Sequence, residues 1–128
     1  MRFVRTWLPV IVWAAVILSA STDAFSSDES RGWLGSVLGS GLASALNIVF
    51  RKAGHVIGYA ILGILARRAD RRLAVAIGVA LAVAITDETR QSLTLLRTGS
   101  PWDVTLDGFS AWLGILVTTR MGMWRESR

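Results

Sequence analysis

Fourteen residues without a formal charge, Ala53 to Ala66, lie between Arg51–Lys52 and Arg67–Arg68. An apolar run closed by cations at both ends is how a helix is held in a bilayer, because the cations stay in water while the run fills the hydrocarbon. The run carries the chain's only histidine, His55, at its entrance, and its only tyrosine, Tyr59, one helical turn deeper. Ionisable groups just inside such a helix are costly, so they turn towards a partner or a polar cavity. The stretch reads as the second span of a small membrane protein, with its entrance forming one wall of a polar site.

Composition agrees. Only 18% of the 128 residues are charged and mean hydropathy is +0.49, whereas soluble chains carry ~25% charged residues. By length the chain is one domain, residues 1–128. The net charge of +5 would suit nucleic acid if the cations lined one polar face. Here they flank apolar runs, so no nucleic-acid partner is expected. The absence of cysteine excludes disulfides, thiol catalysis and zinc-thiolate sites. With a single histidine no structural zinc is expected, nor any cofactor.

The first span is read at about residues 4–20, with Pro9 in its first turns, where a missing N–H costs least. Trp7 is placed at the interface and Trp13 towards lipid. Ser19, Ala20 and Ser21 after an apolar core resemble a secretory cleavage site. The later apolar runs favour an uncleaved span instead. Gly32 to Phe50 is uncharged for nineteen residues, but Arg51 and Lys52 alone are too short a link to reverse the chain between two spans. Its four glycines from Gly32 to Gly41 weaken a helix. Residues 32–46 therefore read as an interfacial or re-entrant segment, and the second span as 47–66. The third span is read at 73–95. Gly99, Ser100 and Pro101 make a turn, and the fourth span follows at 104–119, with Trp102 and Trp124 outside its ends as interfacial anchors.

Charge sets the orientation. With the N-terminus, the loop after span two and the C-terminus on one side, that side holds nine Lys/Arg and two acids; the other holds five Lys/Arg and seven acids. The positive-inside rule puts the nine cations in the cytoplasm. The expectation is an all-α bundle of four transmembrane helices in a bacterial cytoplasmic (inner) membrane, both termini cytoplasmic. Its outer half then collects Arg51, Lys52, His55, Tyr59, Asp87, Glu88, Gln91, Arg97, Asp103 and Asp107 as candidate ligand-binding residues, with Arg90 beside them. Arg51, His55 and Tyr59 fall on one side of their helix, as do Asp87, Glu88 and Gln91, while Asp103 lies one turn before Asp107. Gly54 and Gly58 form a GxxxG that is either a packing face or chance.

The motifs resemble a known family. RKAGHVIGY carries the K-x-x-H-x-x-x-Y signature of the VanZ-like family on Lys52, His55 and Tyr59. DETRQ matches its D-E-x-x-Q on Asp87, Glu88 and Gln91. RTGSPWDVTLDGFSAWLG is similar to its last motif on Arg97, Ser100, Asp103, Asp107 and Gly114. FSS, Phe25 to Ser27, resembles the family's stretch after span one. Ser110 stands where the pattern has glycine, and Leu96 where proline or glycine is usual. The resemblance implies a multi-pass envelope membrane protein, in a family whose best-known member is linked to teicoplanin resistance. It supplies no reaction.

Alternatives stay open at each site residue. His55 and Glu88 are the candidates for acid–base catalysis; the plainer reading is a histidine satisfied by a carboxylate such as Glu88, with Tyr59 as an interfacial anchor. Asp87, Glu88, Asp103 and Asp107 have the hard oxygens for a divalent cation, but Arg51, Arg90 and Arg97 would compete, and an ion-pair network is preferred. No nucleophile elbow, phosphate loop or H-E-x-x-H is present. The expected function is non-enzymatic binding of a charged envelope ligand, such as a lipid-linked cell-wall precursor or a glycopeptide, beside membrane lipid. The alternative is a hydrolase or transferase acting on a lipid phosphate or lipid-linked sugar. The third possibility is that the motif residues only hold the helices together through buried ion pairs.

Overall fold

The computed structural model describes residues 2–21, 40–93 and 100–121, and every element among them is helical. Helix α1 is Arg2–Ala20, α2 is Ser40–Ala69, α3 is Leu73–Ser92 and α4 is Pro101–Arg120. At a rise of ~1.5 Å per residue α2 is about 45 Å long and the others roughly 30 Å. Phe3–Ala20 and Ile48–Ala69 are long and apolar enough to cross a membrane. Helix α3 carries Asp87, Glu88 and Arg90 near its end, and α4 carries Asp103 and Asp107 in its first two turns.

The boundaries follow local chemistry. Ser100 N-caps α4, its hydroxyl accepting from the Trp102 N–H at 3.3 Å, and Pro101 stands at the first helical position where no N–H is needed. Asp103 in that first turn complements the helix dipole. Asp70 ends the turn between α2 and α3 by accepting from the Arg72 N–H at 2.8 Å. The interfacial segment expected at 32–46 lies largely outside the described residues. Its described part, 40–46, is no separate element but the opening of α2. Nothing from Ser40 to Ala69 breaks a helix, and single glycines are tolerated in one.

Each helix buries a narrow stripe. In α1 it is Val10 and Ile17, in α2 Tyr59, Leu62 and Ala66, in α3 Ala76, Ala80 and Ala84, and in α4 Ala111 and Ile115. Small residues dominate, which lets the helix axes come close. The tightest crossing is reciprocal. A β-carbon on Gly63 would run into the Ala111 backbone, and one on Gly114 into that of Ala60. Sequence patterning pointed elsewhere, to Gly54 and Gly58. A β-carbon on Gly54 would meet nothing within 4 Å, and one on Gly58 would face the Ile17 side chain at 3.6 Å. Of the small-residue positions read from the fourth span, Gly114 lies in the crossing, while Ser110 is buried and donates to the Leu106 carbonyl at 2.7 Å.

Helix α2 packs most extensively on α4, and α1 mainly on α2. Lys52 and His55 pair in order with Asp103 and Asp107, so α2 and α4 run in the same direction. Trp13, expected to face lipid, turns inward instead: its indole N–H donates to the Gly58 carbonyl at 2.9 Å. A helix backbone near glycine leaves its carbonyl open to a neighbour, and a half-buried indole needs such an acceptor. The outside of the bundle stays apolar, with Phe3, Ile11, Ile57, Ile85, Phe109 and Val117 all exposed.

Candidate functional site

The alanine stripe of α3 continues, turn after turn, into Asp87, Glu88 and Gln91, all buried. The polar half of that stripe lies where the C-terminal end of α1, residues 51–59 of α2 and the first turns of α4 meet. Each carboxylate there has a different partner. Asp87 Oδ2 accepts from the Ser21 hydroxyl at 2.8 Å and from Gln91 Nε2 at 3.0 Å. Glu88 Oε2 accepts from the Ser100 N–H at 2.7 Å, which ties the end of α3 to the start of α4. Asp103 faces Lys52 Nζ at 3.8 Å, a half-exposed pair that adds little stability.

Asp107 and His55 form the centre. His55 Nδ1 lies 3.3 Å from Asp107 Oδ2, and the carboxylate has no exposed surface. The contact is a hydrogen bond donated to the carboxylate by the neutral imidazole when Nδ1 carries its proton, and an ion pair when the ring is doubly protonated. The His55 ring also stacks on Tyr59, with centroids 6.0 Å apart. Tyr59 is fully buried, so it is no interfacial anchor. Its hydroxyl and Asp107 Oδ1 are buried without a hydrogen-bond partner among the described residues. Buried polar atoms are nearly always paired, and exceptions cluster where something else binds.

Sequence spacing thus anticipated that Arg51, Lys52, His55, Tyr59, Asp87, Glu88, Gln91, Asp103 and Asp107 gather at one end, but not how they pair. The partner of His55 is Asp107, not Glu88, because parallel packing of α2 on α4 sets each cation of α2 against the acid one turn further along α4. The expected arginine network is absent among the described residues. Arg51 and Arg90 are exposed, and Arg90 donates to the Leu18 carbonyl in the last turn of α1 at 3.2 Å. The acids are met instead by Lys52, His55 and uncharged donors. Arg97 and Trp124 lie outside the described residues. No three His, Asp or Glu side chains among the described residues are placed to hold a metal ion. Sequence reading passed over Ser21 as a binding partner; a short hydroxyl residue closing an apolar span was its only signal.

Two cavities flank the pair. One, with Arg51, Lys52, His55, Glu88, Asp103 and Asp107 among its lining residues, is only about 20 Å³, room for about one water molecule. On this side the described residues leave no room for a larger ligand. The other cavity, between α1 and α2, is about 270 Å³, with Trp13, Val16, Ile17 and Phe50 on its walls and Arg51, His55 and Tyr59 along α2.

The architecture and site together define a class: an all-helical bundle with an apolar exterior, two helices able to cross a membrane, and a histidine–carboxylate pair buried at one end. The family model described as VanZ/LLP1 matches residues 6–122, nearly the whole chain, and the chain belongs to that family. Neither a curated protein nor a solved structure gives a match.

Proposed function

We propose that the chain crosses the bacterial cytoplasmic membrane four times, with both termini cytoplasmic, and uses its outward polar end to bind a charged envelope ligand. A lipid-linked cell-wall precursor and a glycopeptide are the ligand types that fit. Large apolar side chains exposed on all four helices support the membrane reading, since a surface of that kind needs a covering of lipid or partner. The observation that carries the binding reading is Arg51. It stands exposed beside the buried His55–Asp107 pair with no acid partner among the described residues, and a guanidinium in that position suits a phosphate or carboxylate.

Arg51→Ala is expected to weaken ligand retention by roughly tenfold or more, the range for a lost charge-assisted hydrogen bond. The protein's level in the membrane should not change. A cell-based glycopeptide tolerance assay, run beside quantification of inserted protein, reads both. Unchanged tolerance with normal insertion would sink the binding role.

The second reading is hydrolysis or transfer on a lipid phosphate or lipid-linked sugar. What favours it is the Asp107 contact at His55 Nδ1, which fixes the imidazole as acid–base pairs require. Turnover of a lipid phosphate by purified protein, lost in His55→Ala, would replace the binding reading with this one.

A further inference from the structure

Resting on the reading of a charged envelope ligand, we propose that the cavity between α1 and α2 seats the aliphatic chain of a single-chain, phosphate-headed lipid, with Arg51 holding the phosphate. Three features of the cavity point to this occupant. Its walls are apolar, from Trp13, Val16 and Ile17 on one side to Phe50, Gly54 and Gly58 on the other. At about 270 Å³ it is well above the ~150 Å³ of apolar cavities that admit a benzene ring, yet below the usual range for drug-sized ligands. That is room for part of one chain, not for two side by side.

Charge then chooses the headgroup. Among the described residues, the only ionisable side chains lining this cavity besides Tyr59 are Arg51 and His55, and no carboxylate lines it. The small cavity on the other side of His55 also has Arg51 and Lys52 on its walls, but it sets Glu88, Asp103 and Asp107 against them and at about 20 Å³ has no room for a phosphate. A phosphate is therefore drawn to the α1 side. The Tyr59 hydroxyl, buried and without a partner among the described residues, belongs to a residue on the same wall. Val16 and Phe50 are exposed at the rim, so the cavity is entered from the flank of the bundle.

The test uses the full chain purified in detergent and a lysophosphatidic acid with a brominated chain as probe. Bromine in the cavity quenches the Trp13 indole, and the quenched fraction should disappear in Trp13→Phe. Gly54→Leu should weaken binding at least about tenfold by filling the cavity. A β-carbon there meets nothing within 4 Å, so the leucine side chain starts from open space. Val16→Trp fills the cavity from α1 and guards against misfolding of the first variant. Arg51→Ala should lower affinity for the phosphate-headed probe roughly tenfold while leaving an uncharged monoacylglycerol of equal chain length unaffected.

Several results would overturn the proposal: equal affinity of wild type for the monoacylglycerol or for two-chain phosphatidate, undiminished binding in both filled variants, or no quenching of Trp13. The outcome that separates the two claims is retention in the filled variants with loss in Arg51→Ala. It would remove the chain site and leave the charged-ligand reading standing.

Discussion

Gly114→Ala is expected to destabilise the bundle by at least about 2 kcal/mol, and Gly63→Ala by a similar amount, the range for overpacking a close contact. The reason is what the added methyl would meet. At Gly114 it would fall on the Ala60 backbone and at Gly63 on that of Ala111. Backbone atoms in the middle of two helices cannot swing aside, so α2 and α4 would have to separate along their shared face. That face also aligns Lys52 with Asp103 and His55 with Asp107, so the polar end should loosen with it. Gly54→Ala and Gly78→Ala are the controls. Neither methyl finds a neighbour within 4 Å, and alanine in a helix interior is preferred over glycine by up to ~1 kcal/mol. Thermal unfolding in detergent should separate the pairs, lower for Gly63 and Gly114 and unchanged or higher for Gly54 and Gly78. Equal melting of all four variants would show that α2 and α4 do not cross there.

The second large effect concerns the buried pair. His55→Leu leaves Asp107, which has no exposed surface, without its partner. Orphaning one member of a buried ion pair costs about 3–5 kcal/mol. Removing both at once is another matter, because an apolar pair of similar volume is often neutral or stabilising. The double variant His55→Leu/Asp107→Leu is therefore expected to melt near wild type while either single variant melts well below it. The same set of proteins tells a site from a strut. A stable double variant that no longer protects cells or binds ligand assigns the pair a functional role, whereas full function in that protein would reduce the pair to packing. Additive losses in the double variant would mean the two side chains do not depend on one another.

What the sequence made legible was what repeats at helical spacing. The apolar runs marked all four helices to within a few residues at most ends. The period of four placed Arg51, His55 and Tyr59 on one face, and Asp87, Glu88 and Gln91 on another. Pairing was not legible, since it depends on which helices touch and in which direction. His55 could be matched with Asp107 only once α2 and α4 were seen side by side and parallel. Gly63 is a lone glycine in an apolar run and carries no mark of its role, while of the conspicuous Gly54–Gly58 pair Gly54 borders open space and Gly58 faces Ile17 of α1 instead of the crossing. Trp13 looked like a lipid-facing residue because periodicity does not reveal an acceptor on a neighbouring backbone. The start of α2 at Ser40 was hidden by the serine and glycine content of its first turns, which resembled an interfacial segment.

The central claim is that the helix ends carrying the polar pairs lie across the membrane from the basic turn between α2 and α3. The chain has no cysteine, so single substitutions report cleanly. In intact cells a membrane-impermeant maleimide should label Asp103→Cys, and it should reach Arg71→Cys only after the membrane is opened. Labelling of both from the same side would contradict the account.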